Sequence, residues 1–268
     1  MELKSPRIMG ILNVTPDSFS DGGQYLHPGA ALRHAGLLLS QGADMIDIGG
    51  ASSKPGAEHV SQADELNRIM PVLQLIKRHY PEAIVSIDTW RAEVARHALE
   101  AGADIINDIT AGTAEPEIMH IVAQAKAPYL MMHMQGTPQN MQISPEYKDV
   151  SKEILEWLSI RIRIARESGI LDVIADPGFG FGKTLVHNYT LVRDLKAFTG
   201  LGVPLAVGFS RKSMLTRLLQ AEKEDVTEAC TVLHYKALEA GALILRVHDV
   251  KPAVHAVQLY QYLQSLPA

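Results

Sequence analysis

The chain contains eight short apolar runs, and each run ends at a polar or charged residue. The terminal residues are Asn13, Asp47, Asp88, Asn107 with Asp108, His133, Asp176, Ser210-Arg211-Lys212, and Arg246 with His248. Between consecutive runs lies a stretch long enough for one helix, which predicts strands and helices alternating around a parallel sheet. Eight such units predict a (β/α)8 TIM barrel, in which the carboxyl ends of the strands share one mouth. We therefore expect the functional site at that mouth.

The strand boundaries follow from the apolar runs. The predicted strands are Ile8–Asn13, Met45–Ile48, Ile84–Asp88, Ile105–Asn107, Tyr129–His133, Val173–Asp176, Leu205–Phe209 and Leu243–Val247. An internal repeat supports them, because Gly42–Asp47, Gly102–Asn107 and Gly241–Arg246 share one pattern. In each, a glycine suited to the left-handed position that ends a helix precedes an apolar run with a polar terminus.

Composition limits the class of protein. A chain of 268 residues with 47% hydrophobic residues fits one barrel domain over residues 1–268. No run approaches the ~18 apolar residues of a membrane span, so we expect a soluble, cytoplasmic protein without a membrane partner. A net charge of −5 without a basic block argues against nucleic acid as a partner. Cys230 is the single cysteine, which excludes a disulfide within the chain, and we expect it to be buried.

The segment Gly178–Thr184 is rich in glycine and resembles a nucleotide-binding loop. The phosphate-loop pattern requires a glycine five positions before Gly182, where the chain has Pro177. The dinucleotide pattern requires a glycine where Lys183 stands. Both interpretations therefore fail.

Two carboxylates and one amide stand at the ends of three predicted strands, at Asp88, Asn107 and Asp176. Their donors and acceptors suit the edges of a flat heterocycle held in a barrel, and Met132 is expected to line the same pocket. The alternative is that these side chains cap the following helices or bond neighbouring loops. His133 has no histidine partner at ligand spacing, which argues against a metal role.

A group of cations faces these acids. Arg246 and His248 are two residues apart on the last predicted strand, so we expect both to face the same way. With Asn13 on the adjacent first strand they predict a site for a diphosphate and its magnesium ion. Ser210–Ser213 ends the seventh strand and opens a helix, where backbone N–H groups and Lys212 can hold an anion or a carbonyl oxygen.

Four segments identify a family resemblance: Asn13–Gly23, Asp176–Lys183, Ser210–Ser213 and Arg246–Val250. Together they resemble the bacterial dihydropteroate synthases, and the similarity extends over residues 8–250. The resemblance implies a transferase that joins 6-hydroxymethyl-7,8-dihydropterin diphosphate to 4-aminobenzoate and releases pyrophosphate. It also implies that the partners are small-molecule substrates and that the protein is a homodimer.

The resemblance also implies roles for individual residues. The pterin would be held by Asp88, Asn107, Asp176 and Lys212, with Ile109, Met132 and Phe181 lining its pocket. The diphosphate and Mg²⁺, the one implied cofactor, would be held by Asn13, Arg246 and His248. The family chemistry is dissociative, so the C–O bond breaks before the amine attacks. Asp88 would stabilise the resulting pterin-methyl cation.

Two loops, Val14–Gly23 and Ala51–Gly56, are expected to close over the site once pyrophosphate is present. The resemblance implies that they build the aminobenzoate pocket together with Phe181, Lys212 and Ser213. This pocket is also where sulfonamides, which mimic aminobenzoate, would bind.

The chain departs from the family within the second loop. The family usually has Ser-Thr-Arg-Pro-Gly, whereas this chain has Ser53 and Lys54 at the second and third positions. Ser53 keeps the hydroxyl and loses a methyl group. Lys54 keeps the charge and loses the planar, two-pronged donor of arginine. Both remain predicted catalytic and substrate-binding residues, and the exchange puts turnover, aminobenzoate affinity and sulfonamide sensitivity in question.

Two other functions compete with this interpretation. A catalytically weak paralogue that binds pterin or regulates a partner is supported only by Lys54. A methyltetrahydrofolate methyltransferase would share the acid and amide pterin site. It would have no use for the diphosphate segment Asn13–Gly23 or for Ser210–Ser213. Release of pyrophosphate separates the first interpretation from the other two.

Overall fold

The computed structural model describes residues 3, 5–15, 28–52, 60–222 and 224–267. The strands are β1 Arg7–Asn13, β2 Met45–Gly49, β3 Ile84–Asp88, β4 Ile105–Asp108, β5 Tyr129–Met132, β6 Val173–Asp176, β7 Ala206–Val207 and β8 Ile244–Val247. The α-helices of these residues are α1 Pro28–Ser40, α2 Gln62–His79, α3 Ala92–Glu100, α4 Glu117–Ala125, α5 Val150–Glu167, α6 Leu185–Asp194, α7 Ser213–Leu219, α8 Thr227–Glu239 and α9 Val250–Ser265. Short 3₁₀ helices cover Leu195–Leu201 and Glu224–Val226.

The eight strands form one parallel sheet in the order β6-β5-β4-β3-β2-β1-β8-β7. A parallel bridge between Ala175 on β6 and Leu205, just before β7, brings the two ends of the sheet together. The Ala175 N–H donates to Pro204 O at 2.9 Å at this closure. The sheet is therefore a nearly closed barrel with helices between its strands, and the predicted (β/α)8 fold is confirmed.

The seventh strand is shorter than predicted. Only Ala206 and Val207 lie in β7, whereas the sequence predicted a strand that continued to Phe209. The chain turns after Phe209, where the Lys212 N–H donates to Phe209 O at 3.2 Å. The Phe209 ring packs against the Phe179 ring with centroids 4.6 Å apart. The turn and the packing of the Phe209 ring therefore end β7 before Gly208 and Phe209.

The helices end as the repeated pattern predicts. Gly42, Gly102 and Gly241 have φ angles of 103°, 95° and 95°, the left-handed conformation that a glycine adopts without steric cost. Ser61 caps the start of helix α2, because its side chain accepts from the Asp64 N–H at 3.1 Å. Within the described part of the chain, no helix is long and apolar enough to cross a membrane.

The barrel interior begins with an apolar layer to which every strand contributes one residue. Its members are Met9, Met45, Ile84, Ile105, Leu130, Ile174, Ala206 and Ile244. A larger apolar cluster fills the space between the strands and the helices. Because side chains alternate along a strand, the residues two positions further on also face the barrel axis. This second layer is polar on several strands, and it is the base of the mouth.

Candidate active site

The second layer contains Asp47, Asn107, Asp176 and Arg246, each two residues beyond an apolar residue of the first layer. These side chains come from β2, β4, β6 and β8. The sequence predicted three of them as site residues and missed Asp47, although it ends an apolar run. The signal that finds Asp47 is the period-two step from Met45.

A second group of predicted residues is aligned by strand register. Asn13 on β1 pairs with Gly49 on β2, which pairs with Asp88 on β3, which pairs with Asn107 on β4. The register therefore brings the predicted diphosphate residue Asn13 and the predicted pterin residues Asp88 and Asn107 into one row across four strands.

Arg246 links three strands of the barrel through its side chain. Its Nε donates to Asp47 Oδ2 at 2.6 Å, and its Nη2 donates to Asp88 Oδ2 at 2.6 Å. Asn107 Nδ2 donates to the same Asp47 oxygen at 3.0 Å. Asp47 Oδ1 is buried and has no hydrogen-bond partner among the described residues. Asp47 thus orients both the guanidinium and the amide.

The acids and cations of this network shift one another's pKa values. Burial raises the pKa of Asp88 to about 7, although Arg246 opposes the shift, and Asp47 raises it further. Burial also lowers the pKa of Arg246, but the two carboxylates outweigh it and the net shift is upward. The guanidinium is therefore charged in the working pH range, while Asp88 changes charge near neutrality.

Asp176 and Lys212 form the opposite side of the mouth. Asp176 Oδ1 accepts from the Gly178 N–H at 2.7 Å, and burial raises the pKa of this carboxyl against the opposing charge of Lys212. Burial lowers the pKa of Lys212 to about 8, while Asp176 acts in the other direction. Lys212 Nζ donates to Phe179 O and lies 4.7 Å from the centroid of the Phe181 ring.

The alternative of capping and loop bonding holds for some of these strand-end residues. Asp108, rather than Asn107, accepts from the Thr110 N–H and the Gly112 N–H, both at 2.7 Å. Asp176 bonds the following loop through one oxygen, as described above. Asn107 instead faces the barrel axis, where its side chain reaches Asp47.

The remaining predicted residues take different positions. Ile109 and Met132 are buried near the ends of β4 and β5, and Ser213 is exposed as the first residue of α7. His248 lies one residue beyond β8 rather than on it, because the strand ends at Val247, and its N–H donates to Ser210 Oγ at 3.2 Å. The predictions for Ser53 and Lys54 lie outside the described residues.

The donor set around Gly49 fits a magnesium ion that is shared with a phosphate ligand. A β-carbon on Gly49 would lie 3.5 Å from Asn13 Oδ1 and 3.7 Å from Asp88 Oδ2, so two oxygens border this point. Mg²⁺ prefers oxygen ligands and commonly takes one or two from protein and the rest from phosphate and water. Among the described residues, no three His, Cys, Asp or Glu side chains form a cage that could hold a metal ion.

Comparison with known proteins identifies the family. Residues 9–248 match the family described as "Pterin binding enzyme". The dihydropteroate synthase of Synechocystis sp. is 45% identical over 251 residues, which cover 92% of this chain and 86% of that relative. The chain belongs to the pterin binding enzyme family.

Solved structures agree with this assignment. A Yersinia pestis dihydropteroate synthase with a sulfonamide drug complex has a TM-score of 0.93 and 42% identity, covering 99% of this chain and 97% of that one. A Xanthomonas albilineans dihydropteroate synthase in complex with 7,8-dihydropteroate has a TM-score of 0.89 and 38% identity, covering 100% and 97%. Within the family, these relatives are all dihydropteroate synthases.

Proposed function

We propose that the protein catalyses the dihydropteroate synthase reaction, in which 6-hydroxymethyl-7,8-dihydropterin diphosphate and 4-aminobenzoate give 7,8-dihydropteroate and pyrophosphate. The observation that carries the proposal is the polar layer at the barrel mouth, where carboxylates, an amide and cations converge on one face. The full-length similarity to dihydropteroate synthases supports it.

The pterin ring is assigned to the deeper part of this layer. Asp176 can accept two parallel hydrogen bonds from the amino and ring N–H groups of the heterocycle. Asn107 offers both a donor and an acceptor, and its orientation is fixed by Asp47. Ile109 and Met132 supply the apolar walls, because both are buried beside the polar strand ends.

The diphosphate is assigned to the side of the mouth formed by β1 and β8. Arg246 uses Nε and Nη2 on its two carboxylate partners, which leaves the N–H groups of Nη1 for a phosphate oxygen. His248 and Asn13 complete this side, and Asn13 Oδ1 is the oxygen that would contact Mg²⁺. When bound, Mg²⁺ would neutralise negative charge on the departing pyrophosphate.

The reaction is a substitution at the pterin methylene carbon. The C–O bond breaks and pyrophosphate leaves with the electron pair, which places positive charge on the pterin-methyl group. The nitrogen of 4-aminobenzoate then donates its lone pair to form the C–N bond, and its extra proton passes to solvent. The Asp88 carboxylate stabilises the cation, while Arg246 stabilises the leaving group.

The aminobenzoate ring is assigned to the outer part of the mouth. Phe181 is half-buried and stands over the Lys212 ammonium, and Ser213 is exposed next to it. Lys212 offers a cation to the carboxylate of the substrate or to the pterin carbonyl. Ser53 and Lys54 are assigned to this pocket by the family motif alone.

The experiment that tests the proposal is chromatographic detection of 7,8-dihydropteroate after incubation with both substrates and Mg²⁺. The expected result is product in equal amount to the pyrophosphate released. Binding of pterin without product would favour a catalytically weak paralogue. Methyl transfer from methyltetrahydrofolate would favour the methyltransferase.

A homodimer is part of the proposal. Val186 on α6, Leu218 on α7 and Val232 on α8 are 71%, 53% and 68% exposed, and these helices are adjacent. Exposed apolar side chains on neighbouring elements indicate a protein interface, and a second copy of the chain is the occupant we infer. Light scattering should give a dimer for wild type and a monomer for Val186→Glu with Val232→Glu. Leu171→Glu, at an apolar residue elsewhere that is 86% exposed, should stay dimeric and serves as the control.

We also assign the protein to the cytoplasm. Cys230 is the single cysteine, so the chain can form no disulfide of its own, and such chains are usual in reducing compartments. Cell fractionation should place the protein with soluble cytoplasmic markers, and its recovery with membranes would contradict the assignment.

A further inference from the structure

The segment Gly178–Thr184, which fails as a nucleotide loop, contains one lysine, Lys183. Its side chain points into the protein interior. Lys183 is 3% exposed, and its Nζ lies 3.0 Å from His133 Nδ1, 2.8 Å from Gly178 O and 2.9 Å from Phe181 O. Burial lowers the pKa of Lys183 well below the usual value for a lysine, although the charge of Asp176 opposes the shift. The two carbonyls require two N–H groups of Nζ, and the third position of the group faces His133 Nδ1. His133 O lies further away, at 3.4 Å.

The contact between Nζ and Nδ1 couples the protonation of Lys183 to that of His133. An imidazolium, which carries a proton on both nitrogens, could not accept a hydrogen bond from Nζ, so the contact with a donating Lys183 requires a neutral ring. Burial lowers the pKa of His133 to about 2, and the charge of Lys183 lowers it further, so the ring is neutral. The ring meets Trp157 edge-on, with centroids 4.9 Å apart and planes at 86°.

Lys183 belongs to a loop whose backbone is held at every residue. All six carbonyl oxygens of residues 178–183 accept a hydrogen bond from a side chain. The donors, in order along the loop, are Lys183, Lys212, Gln142, Lys183, Tyr147 and Asn188. Lys183 alone binds two of these carbonyls, and it is the one donor that lies inside the loop.

The loop also sits tightly against the end of β5. Gly178 has a φ angle of 71°, and a β-carbon there would lie 1.9 Å from His133 O. His133 thus contacts the loop twice, through its ring at Lys183 Nζ and through its carbonyl oxygen at Gly178. Any shift of His133 or Lys183 would be transmitted to Phe181, because its carbonyl is bonded directly to Nζ.

We propose that Lys183 and His133 are a positioning pair for the half of the site that receives the amine substrate. The hydrogen bonds of Lys183 Nζ hold the loop so that the Phe181 ring and the Phe179 carbonyl, which binds Lys212, keep their places at the mouth. The inference rests on the proposed function, since it concerns the pocket for 4-aminobenzoate. The pair is assigned to positioning alone, and neither residue is given a contact with substrate.

Replacement of the Lys183 amino group by an apolar group of similar length is the first test. In Lys183→Met, kcat/KM for 4-aminobenzoate should fall by about 10- to 100-fold, as expected when a positioned group is displaced by a fraction of an ångström to 1 Å. The Kd for a pterin ligand should change far less, because Asp176 and Asn107 are held by other contacts. Lys196→Met, at an exposed lysine, is the control and should match wild type. Wild-type kinetics in a folded Lys183→Met protein would overturn the inference.

A pair of substitutions at the acceptor keeps the test decisive if Lys183→Met does not fold. Asparagine can place an oxygen where His133 Nδ1 lies, so His133→Asn should retain most of the activity that His133→Leu loses. Equal losses in the two variants would contradict the pair. Nitrogen NMR of wild type should show a neutral His133 ring, and a ring protonated on both nitrogens near neutral pH would contradict the pair.

The same measurements separate this inference from the proposed function. A wild-type protein that forms no dihydropteroate would overturn the proposed function. An active wild type with unaffected Lys183 and His133 variants would overturn only the positioning pair.

Discussion

Three carboxylates, the buried Asp47 and Asp176 and the largely buried Asp88, line the upper barrel, and Arg246 and Lys212 are cations beside them at the mouth. Burial raises the pKa of both Asp88 and Asp176, which means that each carboxylate is less stable here than in water. A ligand that brings N–H donors, or a reacting group that gains positive charge, relieves this penalty. The surplus of acid is therefore complementary to a pterin ring and to a pterin-methyl cation.

Asp176 is expected to be the anchor of the pterin ring. Asp176→Asn would oppose a donor to the donors of the heterocycle, and binding should weaken by about 2 to 5 kcal/mol, as when one partner of a buried charged pair is lost. Calorimetric titration with a pterin ligand measures this change. Asp225→Asn, at an exposed position, is the control. Unchanged pterin affinity in a folded Asp176→Asn protein would rule out the assignment.

The pH dependence of turnover should follow Asp88 and Lys212. Asp88 must be ionised to stabilise the cation, and its pKa of about 7 makes the rate rise as the pH increases through that value. Lys212 must be protonated to donate, and its pKa of about 8 makes the rate fall above that value. The profile of kcat/KM should be bell-shaped with a narrow maximum between the two.

Lys212→Arg separates the two limbs of this profile. Arginine keeps its proton at high pH, so the alkaline limb should disappear while the acid limb remains. An alkaline limb that persists unchanged in this variant would show that another group is responsible for it.

At the scale of strands and helices, the alternation of apolar runs predicted all eight strands, since burial on both faces leaves a clear signal in each run. It did not predict the early end of β7, because the packing of Phe209 on Phe179 involves residues 30 positions apart in the sequence. It also missed Asp47, whose partner Arg246 is 199 residues away. The sequence shows which side chains of a strand face the barrel axis. It does not show which of these side chains pair with each other across the barrel.

A buried ion pair holds the chain where the second loop rejoins the barrel. Arg91 Nη1 donates to Glu65, and Arg91 Nη2 donates to Val60 O at 2.5 Å. Glu65 is fully buried, and burial raises its pKa despite the neighbouring hydroxyl of Thr89 and the charge of Arg91. On the other side of the second loop, Arg68 donates to the oxygen of Gly50, the residue before the loop, at 2.9 Å.

Loss of one member of this pair should destabilise the fold. Arg91→Met leaves the Glu65 carboxylate buried without its partner, and the free energy of unfolding should fall by about 3 to 5 kcal/mol. Urea denaturation measures the change. Arg96→Met removes an exposed arginine that pairs with Glu93 and Glu100, and it should have little effect. Equal effects of the two substitutions would contradict the importance assigned to burial.

Lys54 is the sequence position at which the second loop departs from its family. Lys54→Arg restores a two-pronged donor, so the KM for 4-aminobenzoate should fall while the pterin affinity of the unliganded protein stays nearly the same. Steady-state kinetics and pterin titrations of both forms measure the two quantities. If KM and kcat are unchanged by the substitution, the loop does not act on aminobenzoate as proposed.

In the whole molecule, the residues that stabilise the barrel and the residues that form the site lie in separate layers along the barrel axis. An apolar layer with one residue from each strand closes the lower barrel, and the polar layer directly above it contains the site. The charged groups of this polar layer are therefore buried where a ligand can compensate them. The same arrangement allows the outer loops to vary, because they add to the mouth without forming its base.

The most direct test of the account is pyrophosphate release by the purified wild-type protein with the pterin diphosphate, 4-aminobenzoate and Mg²⁺. We expect release that matches the formation of 7,8-dihydropteroate. EDTA should stop it while leaving the circular dichroism spectrum unchanged, since the metal acts on the leaving group and no structural metal is implied. Full activity in a verified metal-free preparation would contradict the role of Mg²⁺. Absence of pyrophosphate release under all conditions would contradict the central claim that the polar mouth is the active site of a dihydropteroate synthase.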